Sequence, residues 1–344
     1  MNTERINQIV EKYGLQKFRV AQLKKALFED YASSYSEIST LKKDLREQLE
    51  KEEPILCMQE HVVQESSDKR TFKALLKLHD GRYIETVLMS PKPDHWTACI
   101  SSQVGCAMAC TFCATGSMGL LRNLTSEEIS DQVLFWKQFI KKRNLDARLQ
   151  NVVYMGMGEP FHNKRQVFDS INELNNPDTF NMGSRHISVS TSGLLKPIYE
   201  MAEKFPQVNL AISLHAANDT LRTELMPINK SFPLDKLAEA LTDYLAKTNR
   251  KIFIEYILLD NDNDSLENAA ELVEFINKVQ PKKLLHVNLI VYNQTDSHHR
   301  QASRENARIF KDYLIDNGVS ATIRKNLGRD IDGACGQLAV HDQK

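Results

Sequence analysis

No stretch of this sequence is long and apolar enough to cross a bilayer. The most apolar runs, residues 152–155 and residues 252–259 with Glu255 interrupting, fall far short of the roughly 20 residues that a spanning helix needs. The opening residues, MNTERINQIVEKYG, lack the apolar centre of a secretory leader, so a cytoplasmic protein is expected. An excess of charge is missing too: 44 Lys and Arg stand against 45 Asp and Glu, so the chain offers no global attraction to a polyanion, and any nucleic-acid surface is local. Low-complexity segments and internal repeats are not apparent. In a reducing compartment six cysteines do not make a disulfide framework, which leaves metal chemistry and reactive thiols. What the chain does have is 42% hydrophobic and 26% charged residues over 344 positions, enough for a sizeable core.

Residues 19–28 and 41–49 carry apolar positions at helical spacing about a Ser-rich connector, so residues 1–52 are expected to form a helical accessory unit. Ten basic and eight acidic side chains within residues 1–51 give it a slight basic excess. Residues 71–79 and 82–89 read as a hairpin about the turn Asp80-Gly81, and residues 90–95, with Pro91 and Pro93, as a linker completing a unit over 53–95. From Trp96 onward, strand-like runs at 97–101, 151–155, 187–191, 209–214, 251–259 and 285–291 alternate with helical periodicity. Six βα units predict an α/β fold, a partial (β/α)6 barrel over 96–344, with a last strand-like run at 320–324 and a tail containing Cys335. Thr125 and Glu128 form a capping box for a helix with Ile129, Val133, Trp136 and Ile140 on its inner face. Asp260, Asp262, Asp264 and Glu271 imitate a calcium loop, but Ser265 stands where the sharp turn needs glycine. The expected arrangement is a polar turn in which Asp264 caps a helix and Glu267 completes the box.

In parallel βα architectures the chemistry lies just beyond the strand ends, and here those positions are polar. The first strand is followed by GCAMACTFCATG, the second by GMGEP, the third by Ser192-Gly193, the fourth by His215 and the sixth by Asn293. A lone turn, core-edge histidine or cap is ordinary; the set beside three cysteines is not. Cys106, Cys110 and Cys113 can hold three irons of a cubane cluster, leaving the fourth open to a substrate. A three-ligand catalytic zinc is the competing reading, and Phe112 within C-x3-C-x-F-C favours the cluster. Gly156 and Gly158 lack the third glycine of a dinucleotide fingerprint, and no Walker lysine is present.

CAMACTFC resembles the radical S-adenosylmethionine motif. ISSQVGCAMACTFCATGSMGLLRNLTSEEISDQV, YMGMGEP, SVSTSG, ISLHA, MPIN and GRDIDGACGQL, taken in order, resemble the RlmN/Cfr family of radical RNA methyltransferases over nearly the whole chain. The resemblance implies a 4Fe-4S cluster on Cys106, Cys110 and Cys113, with S-adenosylmethionine on its free iron. Gly158 and Glu159 would meet the methionine end, and Ser190, Ser213, Leu214, His215 and Asn293 the remainder. It also implies that Cys335 accepts a methyl group from one S-adenosylmethionine and, after a second is cleaved, carries that carbon onto an adenine ring. Glu85 would remove the ring proton, and Cys99 would attack Cys335 to form a disulfide and release the product. The implied substrates are C2 of adenosine in 23S rRNA and in tRNA, 3′ of the anticodon, with an electron donor such as flavodoxin or ferredoxin and a monomeric enzyme. Methylation at adenine C8, as in the resistance branch, and an RNA-binding member without catalysis are the alternatives. The chain departs from the family at Gly333, where alanine is usual, and at QTDSHHRQASREN, which replaces a proline-rich segment. There His298, His299, Arg300 and Arg304 read as phosphate contacts or as a solvated run. Cys57 matches nothing and reads as structural.

Overall fold

The computed structural model describes residues 1–93, 95–145 and 148–340. Helices α1 (Thr3–Lys12), α2 (Phe18–Lys24), continued by a π turn at Lys25–Glu29, and α3 (Lys43–Glu52) come first. Four strands follow, β1 (Met58–Glu65), β2 (Thr71–Leu78), β3 (Tyr83–Lys92) and β4 (His95–Cys99). The antiparallel pair β5 (Gln103–Gly105) and β6 (Leu120–Asn123) then brackets the cysteine loop and the short helix α4 (Ala114–Ser117). After α5 (Ser126–Lys142) come β7 (Arg148–Tyr154), α6 (Lys164–Asn175), β8 (Ile187–Thr191), α7 (Leu195–Lys204) and β9 (Asn209–Ser213). Helices α8 (Asp219–Leu225) and α9 (Leu234–Thr248) lead to β10 (Ile252–Leu258), and α10 (Leu266–Lys278), β11 (Leu285–Val291), α11 (Arg304–Asp316) and β12 (Ala321–Ile323) complete the alternation.

Among the described residues ten strands form one sheet, ordered β1-β2-β3-β4-β7-β8-β9-β10-β11-β12. The pairs from β1 to β4 are antiparallel and all pairs from β4 to β12 are parallel. The six expected runs are six of these parallel strands, and the run at 320–324 contributes a seventh, β12. In β8 to β11 one face is fully buried and the other buried or half-buried, so these strands read as mostly apolar runs. The sheet curls: the chain leaving β12 at one edge reaches back to the other. There the Ser67 N–H donates to Asp330 Oδ2 at 2.8 Å, and Gly328 packs so closely on Thr71 that a Cβ would lie 2.6 Å from its methyl.

Several local expectations need correction. Residues 90–92 extend β3, and β4 begins at His95, so strand occupies most of the expected linker, whose Asp94 lies outside the described residues. The β10–α10 turn is capped one residue later than expected: Ser265 is the N-cap and Asn268 completes the box. Asp264 instead accepts from the Asn261 N–H at 3.0 Å and from Asn306 at 3.0 Å, which ties the turn to α11. Helix α5 is buried all round from Glu128 to Ile140, not on one face. The sheet covers one side, where Trp136 is fully buried and donates to Thr86 Oγ1 at 3.0 Å. On the other, Gln138 donates to the Ala32 carbonyl at 2.8 Å, and Arg5 of α1 pairs with Glu127 at 2.9 Å. One apolar core therefore runs from Met1 through the helices and sheet to Leu338. No helix among the described residues is long and apolar enough to cross a membrane.

Candidate active site

The cysteine loop is shaped by two close approaches. Gly105 has φ +77, and a Cβ there would lie 1.9 Å from the Gly119 carbonyl oxygen, so glycine is what lets β5 meet β6. Gly116 sits against the backbone of Cys110 in the same way, its Cβ position 2.9 Å from that carbonyl oxygen. Between the ligands, Ala109 takes φ +52, a left-handed turn that costs an L-residue about 1–2 kcal/mol. Phe112 explains its place in the motif: it packs with Leu225, Met226, Ile257 and Tyr292 in a second small core, against which Cys110 and Cys113 lie.

Cys106, Cys110, Cys113, Gly158, Glu159, Ser190, Ser213, His215 and Cys335 line one cavity at the carboxyl rim of the parallel strands. Burial pushes the Cys106 thiol up to about 12 and the Cys110 thiol well above its ordinary value, with the neighbouring thiols adding repulsion. The Met108 N–H, 3.5 Å from Cys106 Sγ, works the other way. Thiolates so poorly supported by the protein alone suit a site where iron supplies the positive charge. Among the described residues no three His, Cys, Asp or Glu groups gather as the ligands of a single ion. Three thiols lining one cavity are the donor set that a cubane with one open iron takes.

Glu159 follows β7. Its carboxylate accepts from the backbone N–H of Phe161 at 2.9 Å and of Ser192 at 2.8 Å, so each oxygen keeps a lone pair for a ligand ammonium. Burial raises its pKa, and those two N–H groups oppose the rise. Gly158, with φ +96, would place a Cβ 2.5 Å from the Gln103 side chain, so packing within the chain already requires glycine there. Ser190 and Ser213 face each other with hydroxyls 3.3 Å apart. At His215, φ is +59 and Nδ1 accepts the Ile257 N–H at 3.0 Å, which leaves the proton on Nε2. Burial, reinforced by the Arg222 cation, lowers its pKa to about 3, so the ring is neutral.

Four expected site residues lie off this cavity wall. The Leu214 side chain belongs to the main core. Asn293 sits behind the tail and donates to the Cys335 carbonyl at 3.2 Å. Cys99 is buried at the end of β4, close enough to Cys335 for the two thiols to interact electrostatically. Glu85 lines a separate cavity with Lys73, Gln337 and Ala339. Its carboxylate pairs with Lys73 at 3.0 Å and accepts the Ala339 N–H at 2.9 Å, so the tail divides it from the cysteine cavity. Of the run at 298–304, His298, Arg300 and Arg304 are exposed, but His299 departs from the expectation: it is buried, between Asp262 and Thr111. Gly333, by contrast, is unstrained, since a Cβ would sit 3.4 Å from the Gly328 carbonyl oxygen.

Sequence reasoning missed two cations, one fully buried and one half-buried. Arg222 on α8 donates to the carbonyls of Ser192 at 2.7 Å and Leu214 at 3.1 Å and to Asn229 at 2.7 Å, locking together the ends of β8 and β9. Arg324 lines the cavity beside Cys335, paired with Glu255 at 3.1 Å, whose other oxygen accepts from Asn288 at 2.9 Å. Burial raises the Cys335 thiol pKa and Arg324 draws it back. One signal was present: Glu255 interrupts an otherwise apolar buried run.

Such a rim of cysteines, carboxylate and hydroxyls on a curled parallel sheet defines a radical S-adenosylmethionine enzyme, and the comparisons agree. The Radical SAM superfamily matches residues 100–273. The chain is similar to the probable dual-specificity RNA methyltransferase RlmN of Enterococcus faecalis, 42% identical over 96% of this chain and 92% of that one. It is also similar to the protein of the same name from Streptococcus sanguinis, 41% identical over 97% and 92%. A crystal structure of a radical SAM methyltransferase from Sphaerobacter thermophilus superposes with a TM-score of 0.91 at 38% identity, covering 98% of this chain and 97% of that one. The chain belongs to the RlmN family of radical SAM RNA methyltransferases, and membership implies S-adenosylmethionine and a 4Fe-4S cluster.

Proposed function

We propose that this protein methylates C2 of adenosine in 23S rRNA, at the peptidyl-transferase centre, and in tRNA, at the adenosine 3′ of the anticodon. The methyl group passes through Cys335, and two S-adenosylmethionine molecules are consumed per product. The observation that carries this reading is Cys335 itself, a thiol on the wall of the cavity that holds Cys106, Cys110 and Cys113. When bound, the reduced cluster supplies the electron that cleaves S-adenosylmethionine.

The chain's own residues have distinct tasks. Cys106, Cys110 and Cys113 would hold the cluster, and Glu159 would take the ammonium of the methionine moiety. Arg324 favours the Cys335 thiolate, the form that accepts a methyl group by displacement. Neutral His215 keeps an N–H on Nε2 for an acceptor in the cavity. Glu85 would accept the ring proton once the tail releases Ala339 from its carboxylate, with Lys73 paired to the other oxygen. Cys99, with its buried thiol, would then displace the product from Cys335. Residues 1–52 would form the accessory RNA contact, a flavodoxin or ferredoxin would reduce the cluster, and the working unit would be a cytoplasmic monomer.

The test is nucleoside mass spectrometry on unmodified 23S rRNA and tRNA after anaerobic incubation with reconstituted enzyme, S-adenosylmethionine and reductant. The expected product is 2-methyladenosine in both RNAs, abolished by Cys335→Ala. Formation of 8-methyladenosine transfers the protein to the C8 branch, and cofactor cleavage with no methylated adenosine defeats the substrate assignment.

A further inference from the structure

We infer that residues 292–301 form a strap that holds the cysteine loop and the Cys335 tail in register, with His299 as its positioning residue. This rests on the cluster reading of Cys106, Cys110 and Cys113 and adds a residue from the very segment in which the chain departs from its family. His299 Nδ1 lies 2.6 Å from Asp262 Oδ2, and its Nε2 lies 2.8 Å from Thr111 Oγ1. The carboxylate can only accept, so it fixes the proton on Nδ1 and leaves Nε2 to accept the Thr111 hydroxyl. The residue is 5% exposed, so water does not compete for these bonds. Thr111 stands between Cys110 and Phe112, and its N–H donates to the Leu225 carbonyl at 3.0 Å. His299 therefore grips the middle of the ligand loop from outside the cavity.

The strap is fastened at two other places. Its Arg300 carbonyl accepts the Asp260 N–H at 2.9 Å, and Gln301 bridges to Leu259, which anchors it to the end of β10. It is internally braced by Tyr292, whose hydroxyl lies 2.6 Å from Thr295 Oγ1 and 2.7 Å from Ser297 Oγ, and by Gln294, which donates to the His299 carbonyl at 3.2 Å. Toward the tail, Gln337 donates to the Gln294 carbonyl at 3.1 Å and Asn293 to the Cys335 carbonyl at 3.2 Å. Loop and tail also meet directly, the Ala114 N–H donating to the Gly336 carbonyl at 2.8 Å. A braced segment, buried at Tyr292, Asn293 and His299 and bonded to both, is a physical route by which movement of one displaces the other.

The test is hydrogen exchange read by mass spectrometry on the full-length protein carrying His299→Ala, His299→Gln or Asp262→Asn. In His299→Ala, exchange is expected to quicken about five- to tenfold in peptides covering 107–116 and also in 333–340, the factor that loss of one net hydrogen bond carries. Glutamine, which can donate to Asp262 and accept from Thr111, restores most of the protection in both. In the reconstituted protein the electron paramagnetic resonance signal of the reduced cluster is expected to change shape in His299→Ala and to return in His299→Gln. Faster exchange confined to 107–116, or wild-type exchange throughout, overturns the strap. Should His299→Ala fail to fold, Asp262→Asn keeps the shape, removes the charge and is judged by the same two peptides. Failure of the wild-type protein to take up iron would defeat the cluster reading, while the exchange data would still decide the strap.

Discussion

At His215 the backbone enters the left-handed region so that Nδ1 can accept a buried N–H from β10, and the consequence is a pH dependence. The unfolded chain takes up a proton near the ordinary 6.5, whereas the folded ring resists protonation down to about 3. Between those values the unfolded state binds more protons, so stability falls as pH drops, by at most about 1.4 kcal/mol per pH unit. Urea midpoints measured from pH 7 to pH 4 should show the wild-type advantage over His215→Gln shrinking as the solution is acidified. A constant difference would contradict this account. Legibility at this scale followed chemistry that is local in sequence. The spacing of Cys106, Cys110 and Cys113 shows in the sequence because one loop carries all three. Arg324 beside Cys335 and His299 against Thr111 depend on the fold bringing distant segments together, and nothing in their immediate neighbours announces it.

Helix α8 shows what an element can do that its own sequence does not display. Arg222 points back from it to the carbonyls that end β8 and β9, where ordinary sheet pairing has run out. Arg222→Met would remove this donor from the Ser192 carbonyl and leave the Leu214 carbonyl with the Ala216 N–H alone while filling much of the space, and we expect a loss of about 1–3 kcal/mol, the range for a buried acceptor left unsatisfied. A thermal melt of the purified apo-protein checks this, and a change within about 0.5 kcal/mol, as at an ordinary surface position, would refute it. Strands β8 to β11 were readable because a fully buried face beside a buried or half-buried one makes them mostly apolar runs. Strand β1, MQEHVVQE, was not, since most of its side chains are exposed and it exists as an edge partner for β2. The cap of α10 was misplaced by one residue for a related reason: Asp264 and Ser265 are both good caps, and tertiary contact with Asn306 decided between them.

For the whole molecule, the continuous core joining α1–α3, α5 and the sheet predicts one cooperative thermal transition for the apo-protein. Differential scanning calorimetry resolving a separate low-temperature transition, lost on deletion of residues 1–52, would show that the accessory helices unfold independently. The tail from β12 bears on the molecule in another way. Its holds on the rest of the structure at Cys335, Gly336, Leu338 and Ala339 are made through backbone carbonyls and an N–H, met by Asn293, Ala114, Thr115 and Glu85. A segment gripped by its main chain depends less on its side chains for that hold. Gly336, whose φ of +85 favours glycine, and Leu338, whose side chain enters the core, are still constrained, whereas Ala339 is free to drift over evolutionary time without loosening the seam. The side chains of Asn293, Thr115 and Glu85 that grip the tail, anchored elsewhere in the fold, are not.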